Sequence, residues 1–434
     1  MPGVRASARG RLCMRGLITG SQLPARRIVK TMTCGLAAPV NSPRRLVRAV
    51  NEFGGEVARL LSERGMSLRQ AARLTHYDPS YLSRVVSGRK APSLPLAEAL
   101  DRVLGADGAL MALAADSLNP GDAAQLGWAM RNPRHVDHAA VDGLAAVLAA
   151  QRRTEDALGS AAVLPAVVAQ LAAVEDLVTE ARGPVRPAVV AAGAEWAQYA
   201  GWLHASTGHD AKAARLYDQA LAWAVEAAAV SLVSEVISLK GQMAWTAGQP
   251  GPVIGLSQAA RRDPAAFPGQ HAISAAQEAR GHAMTGDAAA TERCLDEAMA
   301  RAADADDRRA EAPPWLYYHS PGFFDLQRGL AYRFLAADPR YRQLAVAALQ
   351  AGHAALRDDE RSSEWGAVFL CHLAAVHAQG GDVGEAVAVA LGAAVIARQL
   401  GSASLASQLS RLRAGMVRRW PADARVTELA DALR

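Results

Sequence analysis

Helical periodicity without strand-like alternation is the feature that most constrains this chain. From about residue 123 to residue 434, apolar positions recur at helical spacing, and no convincing stretch alternates β-branched residues as a half-buried strand would. Alanine, the strongest helix former, supplies 97 of the 434 residues. The sequence therefore predicts an all-α protein without a sheet, long enough for two or three domains.

Clusters of Gly and Pro divide the chain. Breaks are predicted at Arg182-Gly183-Pro184, Gly248 to Pro252, Asp263 to Gly269 and Ala312 to Pro314. A stronger break at residues 119–122, Asn-Pro-Gly-Asp, predicts a linker. Three parts are expected: a disordered basic arm over residues 1–45, a compact unit of short helices over 46–118, and a long helical region over 123–434.

Positive charge is concentrated at the N-terminus. Residues 1–50 contain ten Lys or Arg and no acidic residue, whereas the other 384 residues carry a formal net charge near −5 against a total of +5. A basic end on a mildly acidic body suits contact with a polyanion. An acid-free, Arg-rich opening is also typical of an organellar transit peptide, but a flexible arm or a start codon placed ahead of Met14 or Met32 is favoured.

Four short helices with start and stop signals are predicted between residues 50 and 116. The first presents an apolar face formed by Phe53, Val57, Leu60 and Leu61. Gly65 ends this helix, and Ser67 can cap a second helix that runs from Leu68 to Thr75. The residues expected to face inward on the second helix are Ala71, Ala72 and Leu74.

Asp78 and Pro79 open a third helix, because Asp is a good N-cap and Pro loses nothing at the first helical position. This helix is expected to run to about Val86, and the residues facing the core are Leu82, Val85 and Val86. Its outward residues are then Ser80, Tyr81, Ser83 and Arg84. Gly88 stops it, and residues 93–104 form the fourth helix.

Two short helices joined by a tight turn, the second with a polar and Arg-bearing face, form a helix-turn-helix. The major groove of DNA admits one such helix, with its first turn towards the base edges. Arg84 is long enough to reach a guanine edge or a phosphate, and Arg69 lies near a helix N-terminus that can meet the DNA backbone. The candidate DNA-binding residues are Arg69, Ser80, Tyr81, Ser83, Arg84, Arg89 and Lys90.

The run MSLRQAARLTHYDPSYLSRVVSGRKAP, residues 66–92, resembles the phage repressor type of helix-turn-helix, the Cro/C1-type or XRE family. That family places a small residue in the second helix, here Ala72, and aliphatic residues in the third. His76 stands where the family usually has Gly, and Leu68 stands where Gln is common, so one familiar backbone contact is lost. The resemblance implies a lambda-repressor-like domain over residues 46–118 that binds double-stranded DNA as a homodimer.

A repeated pattern of Gly followed by small residues runs through the helical region. Gly208, Gly286 and Gly381 begin the clearer copies, and weaker copies occupy residues 248–260 and 336–348. The pattern resembles the tetratricopeptide repeat, in which a Gly-Asp turn links two helices. The whole chain is similar to actinobacterial regulators that join an XRE-type head to a helical body. This resemblance implies that residues 123–434 bind an effector, either a peptide or a small molecule, or form the dimer.

The sequence does not indicate a metal site or a catalytic site. His135 and His138 lack a third metal ligand, and Cys371 with His372 is interpreted as a buried thiol beside an ordinary histidine. No Gly-rich phosphate loop, HExxH motif or nucleophile elbow occurs, so neither an enzyme nor a cofactor is expected. The four scattered cysteines indicate reduced thiols of a cytoplasmic protein. No apolar run reaches the roughly 20 residues that a membrane span needs.

Two alternatives stay open. The aromatic cluster from Trp315 to Phe324 is either a core plug between repeats or an effector pocket. The chain is either a sequence-specific DNA-binding regulator or a protein-interaction scaffold, such as an antitoxin-like adaptor with a vestigial helix-turn-helix. The outward face at Ser80 and Arg84 is still polar and basic, which favours the regulator.

Overall fold

Helices make up the regular structure of this protein. The computed structural model describes residues 43–75, 77–87, 89, 92, 94–106, 108–115, 128 and 130–433. These residues form twenty α-helices and no β-strand, so the all-α prediction is confirmed. The chain divides into two units, Met1–Arg45 and Leu46–Arg434. Residues 1–42 of the expected arm and the expected linker at 119–122 lie outside the described residues.

Five helices form the N-terminal part, which we call the head. They are α1 (Pro43–Glu63), α2 (Leu68–Leu74), α3 (Pro79–Val86), α4 (Leu94–Leu104) and α5 (Ala109–Ala115). The four helices expected from caps and apolar spacing are all present. Helix α1 begins earlier than the sequence pattern indicated, at Pro43, a residue that fits the start of a helix because its missing N–H is not needed there.

Fifteen further helices in the described residues form the body. They are α6 (His138–Leu158), α7 (Ser160–Glu180), α8 (Arg186–Ser206), α9 (Asp210–Glu226), α10 (Val230–Thr246), α11 (Pro250–Ala260), α12 (Pro268–Met284), α13 (Ala288–Asp307), α14 (Pro321–Phe334), α15 (Pro339–Ala355), α16 (Asp358–Arg361), α17 (Glu364–Gly380), α18 (Val383–Gln399), α19 (Ala403–Arg419) and α20 (Ala424–Ala432). The breaks predicted from Gly and Pro fall between these helices or in the first turn of the next one.

Much of the body consists of helix pairs joined by the same kind of turn. Gly208, Gly248, Gly286 and Gly381 each follow the first helix of a pair and have φ between 71° and 88°, where side chains larger than hydrogen are strained. In the first of these turns, the His209 N–H donates to the His204 carbonyl at 2.7 Å and closes the helix end. A short turn of this kind folds the second helix back along the first.

Helix α7 is long and apolar enough to cross a membrane by length and composition, because its many alanines and valines raise the mean hydropathy. It contains no unbroken apolar run of that length, as expected from the sequence. One face of α7 is buried in the core between its neighbours, and the residues of that face include Val163, Val167, Leu171, Val174 and Leu177. This regular spacing of three or four residues is that of a helix packed along one side.

A carboxyl group is buried in the body. Glu235 of α10 is 4% exposed and accepts hydrogen bonds from the Gln270 amide at 2.7 Å and from the Gln198 amide at 3.4 Å. Burial raises the pKa of Glu235 to about 7, although the hydrogen bond from Gln270 and the charge of Arg152 act in the opposite direction. The native protein therefore holds a proton at Glu235 that the unfolded chain releases at lower pH.

Replacing Glu235 with Gln is expected to make stability less sensitive to pH. Because the native pKa lies above the unfolded value of 4.5, the stability from neutral Glu235 is complete below that value and is lost as pH rises through about 7. A shift of this size corresponds to at most about 3 kcal/mol. Urea unfolding at about pH 5 and about pH 8 should show a larger loss for wild type than for Glu235→Gln. Equal losses in both proteins would contradict the assignment.

Candidate nucleic-acid interface

An apolar core holds the helices of the head together. The predicted inner face of α1 is buried as expected, and its members are Phe53, Val57, Leu60 and Leu61. This face packs in one cluster with Leu82 and Val85 of α3, both fully buried, and with Leu96 and Leu100 of α4. Val86, also expected to face the core, is half-buried. The inward side of α3 is therefore the one predicted from apolar spacing.

Local signals fix the end of α1 and the start of α2 as predicted. The Met66 N–H donates to the Leu61 carbonyl at 2.9 Å across Gly65, whose φ is 59°. The Ser67 hydroxyl accepts the Gln70 N–H at 3.3 Å, and the Gln70 side-chain oxygen accepts the Ser67 N–H at 2.9 Å. This reciprocal capping box satisfies two N–H groups that would otherwise lack partners.

Helix α3 also begins as predicted. The Asp78 carboxylate accepts the Tyr81 N–H at 2.9 Å, and Pro79 is the first helical residue. Four residues, 75–78, connect α2 to α3. Two short packed helices with so short a connection are the geometry of a helix-turn-helix.

Helices α1 and α3 approach each other at the level of the backbone. Gly54 of α1 is buried, and a Cβ at this position would lie 2.3 Å from the Val86 carbonyl oxygen. The next residue, Gly55, is exposed, and a Cβ there would meet no atom of the described residues within 4 Å. The missing side chain of Gly54 therefore determines how closely α3 can approach α1.

Four arginines on α2, on α3 and just after α3 are exposed, and they are Arg69, Arg73, Arg84 and Arg89. None of these four side chains forms an ion pair with another described residue. On α1, by contrast, Arg59 pairs with Glu56 and Glu63. On α4, Arg102 pairs with Glu98. The side of the head formed by α2 and α3 thus carries arginines that are available to an external anion.

Most of the predicted DNA-binding residues lie on this side. Arg69, Ser83, Arg84 and Arg89 are exposed there. Ser80 belongs to α3, but its side chain lies outside the description, as do Lys90 and the turn residue His76. Arg73 is an additional candidate. It follows Arg69 by four residues, a spacing that places both side chains on one face of α2 and that the sequence already contained.

Two predicted orientations are corrected. Leu74 was expected to face inward and is 56% exposed, because the inward side of the seven-residue α2 is taken by Ala71 and Ala72. Tyr81 was expected to face outward and is half-buried. Its ring stacks on that of Tyr77, with centroids 5.8 Å apart and planes at 18°. A large apolar ring gains free energy by covering the core, which explains why Tyr81 is not fully outward.

A cluster in the body has the side-chain types of a metal site. Glu278, His282 and Cys294 each place one ligand atom within 4.8 Å of the others. Arg261, however, forms ion pairs with Glu278 and Glu297 and supplies positive charge at this point. Burial raises the pKa of the Cys294 thiol to about 11, which keeps it protonated near neutral pH. The geometry is that of a network of ion pairs.

The Cys371–His372 pair lies in the body core, as interpreted from the sequence. Burial raises the pKa of the Cys371 thiol to about 12. The pKa of His372 is lowered well below its ordinary value by burial and by the charges of Arg333 and Arg280. The nearest hydrogen-bonding group to His372 Nδ1 is the Arg333 guanidinium at 2.8 Å, which holds the ring in place rather than activating a thiol.

Comparison with known proteins agrees with the geometry of the head. Residues 52–114 match a family model described as a helix-turn-helix domain, and this range runs from within α1 to the last turn of α5. The head is therefore a helix-turn-helix domain. Neither a curated protein nor a solved structure matches the chain.

Replacing Gly54 with Ala is expected to loosen α3, since the added methyl group would overlap the Val86 carbonyl. Overpacking of this kind typically destabilises by about 1–3 kcal/mol. Gly55→Ala is the matched control and should be neutral or stabilising by up to about 1 kcal/mol. Hydrogen exchange of the full chain should show faster exchange in α3 for Gly54→Ala alone. Equal protection of α3 in both variants would show that the contact is unimportant.

Proposed function

We propose that this chain is a sequence-specific DNA-binding regulator of transcription, of the Cro/C1 or XRE type. The observation that carries the proposal is the set of exposed arginines on α2 and α3 of a helix-turn-helix domain, none of which forms an ion pair with another described residue. Binding to DNA phosphates requires cations that the protein itself does not neutralise. A helix of eight residues with its apolar side buried in the head leaves the opposite side free to enter a major groove.

The individual roles follow from position. Arg84, on the outward side of α3, reaches a guanine edge or a phosphate, and the short Ser83 and Ser80 allow close approach to the bases. We assign contacts with DNA phosphates to Arg69 and Arg73 on α2, and to Arg89 and Lys90, which follow α3 in the sequence. Base contacts from α3 supply sequence preference, whereas the phosphate contacts supply affinity and register.

The body serves as a sensor or dimerisation domain in this proposal. Its helix pairs, joined at glycine turns, are consistent with a tetratricopeptide-like stack that offers an extended surface to an effector or to a second copy of the chain. A homodimer would read a pseudo-palindrome with half-sites about one helical turn of DNA apart. We place the protein in the cytoplasm, where DNA is accessible, and assign it no catalytic activity.

Replacing Arg84 with Ala is expected to reduce discrimination between DNA sequences. The preferred site can be selected from random-sequence DNA and compared with single-base variants by fluorescence anisotropy. A lost bidentate base contact should lower affinity for the preferred site by about 1–3 kcal/mol and relax the preference at one base position. Arg102→Ala, which removes an exposed arginine that is already paired with Glu98, is the control and should bind normally. An unchanged preference in Arg84→Ala would remove this residue from the base-reading set.

The salt dependence of DNA affinity distinguishes arginines that contact phosphates from arginines that do not. The logarithm of the binding constant should fall linearly with the logarithm of salt concentration. Arg73→Ala should weaken binding to all sequences similarly and reduce the magnitude of the slope by about one. Arg59→Ala, whose side chain is engaged by Glu56 and Glu63, should leave the slope unchanged. A chain that binds no DNA but captures a protein partner through residues 120–434 would instead support the interaction scaffold.

A further inference from the structure

The helix pair α12–α13 of the body is joined to α14 by a long connection. Thirteen residues, 308–320, separate α13 from α14, against three between α9 and α10 and seven between α11 and α12. We call this connection the aromatic segment, because it contains Trp315, Tyr317, Tyr318 and His319. The aromatic segment is thus the longest of these three connections.

A cavity of about 370 Å³ lies beside the aromatic segment. Its apolar wall includes Phe267, Met299, Ala302, Leu316 and Phe324. Its polar lining includes Glu98, a residue of α4 in the head. Sites for small molecules have volumes of this order and combine an apolar wall with a few polar groups. The cavity therefore has the dimensions of a ligand site and is bordered by both the body and the head.

His319 gives the cavity an unused polar group. It lines the cavity, both of its ring nitrogens are buried, and neither has a hydrogen-bond partner among the described residues. The ring is held by stacking on Phe323, with centroids 5.4 Å apart. Burial and the charge of Arg309 lower the pKa of His319 to about 3, so the ring is neutral and offers one donor and one acceptor. A hydroxyl or amide group of a ligand can satisfy such a ring.

The aromatic segment also contacts α6, a helix that packs against α4 of the head. The Tyr317 hydroxyl donates to the Asp156 carboxylate of α6 at 3.0 Å, and α4 packs against α6. At the start of the segment, Arg308 lowers the pKa of Glu311, and Arg102 of α4 adds to this effect. These contacts connect the segment to α4, the helix that follows α3.

We propose that this cavity binds a small, uncharged molecule with an aromatic ring system and a hydroxyl or amide group, and that its occupancy changes the affinity of the head for DNA. The rings of the ligand pack against the apolar wall, and its polar group forms a hydrogen bond with His319. The binding of a ligand in this cavity is independent of the proposed function. The effect of the ligand on DNA affinity rests on the proposed function, because it requires that the head binds DNA.

Binding of N-phenyl-1-naphthylamine to the full chain, without DNA, tests the cavity directly. This neutral aromatic amine becomes more fluorescent in apolar surroundings. Ala303 is exposed on α13 and lines the cavity, so Ala303→Trp should fill it. Ala300→Trp adds the same ring to an exposed position of the same helix, outside the lining, and is the matched control. We expect at least about tenfold weaker binding for Ala303→Trp and less than about twofold change for Ala300→Trp.

Two results would contradict the proposed ligand site: wild type that does not bind the probe, or Ala303→Trp that binds it as well as Ala300→Trp.

The proposed hydrogen bond to His319 has its own test. Displacement of the probe by 2-naphthol should need several times less compound than displacement by 2-methylnaphthalene, which lacks the hydroxyl group. In His319→Leu the two compounds should become nearly equivalent. A preference for 2-naphthol that persists in His319→Leu would refute the hydrogen bond to this ring.

The regulatory half is tested by DNA affinity with and without saturating probe. We expect a change of at least about threefold in wild type and in Ala300→Trp, and none in Ala303→Trp. Probe binding without any change in DNA affinity would refute regulation through this cavity. A protein that binds the probe and fails to bind any DNA would refute the proposed function, and the ligand site would stand on the fluorescence data.

Discussion

The position of α3 depends on the close approach of two backbones. Where the Val86 carbonyl of α3 reaches α1, Gly54 supplies no side chain, and this allows Leu82 and Val85 to lie fully in the core. Helix α3 has eight residues, and an isolated helix of that length is unstable in water. Its cap at Asp78 fixes where it starts, but its position comes from packing. The exposed side of α3, which carries Arg84, is therefore positioned by α1 residues that pack against the buried side of the same helix.

Charge pairing divides the head into two kinds of surface. Ion pairs between exposed side chains contribute little stability, about 0–1 kcal/mol each. Arg69, Arg73 and Arg84 have no ion-pair partner in the described part of the chain, which therefore costs the fold little and keeps their donors available. Pairing of Arg59 and Arg102 reduces the positive charge of α1 and α4 instead. The distribution of partners, more than the net charge of the head, distinguishes one side from the other.

The sequence predicts local structure in the head well, because its signals act over a few residues. Caps at Ser67 and Asp78 and the glycine stop at Gly65 depend on neighbours in the chain and are confirmed. The orientations of Leu74 and Tyr81 were not predicted correctly. On a helix of two turns, apolar spacing does not decide which of several apolar residues face inward, and that choice depends on the space left by α1 and α4.

Predictions over longer distances are limited for a related reason. Glycine turns indicate the helix pairs of the body, since each turn is encoded by a single residue with positive φ. Whether the aromatic residues near 315–324 form a plug or a pocket could not be decided from their own sequence. The cavity beside them is completed by Phe267 and by Glu98, which lie about 50 and 220 residues earlier in the chain. No local pattern connects those positions.

The aromatic segment changes what a stack of helix pairs can do. In a regular stack each unit contacts its neighbours, so a change at one point reaches a distant point only through the units between them. The hydrogen bond from Tyr317 to Asp156 joins positions 161 residues apart. Because α6 also packs against α4, this contact gives the middle of the body a short route to the head. The connection between α13 and α14, rather than the stack as a whole, is therefore the element best placed to transmit an event in the body to the DNA-binding domain.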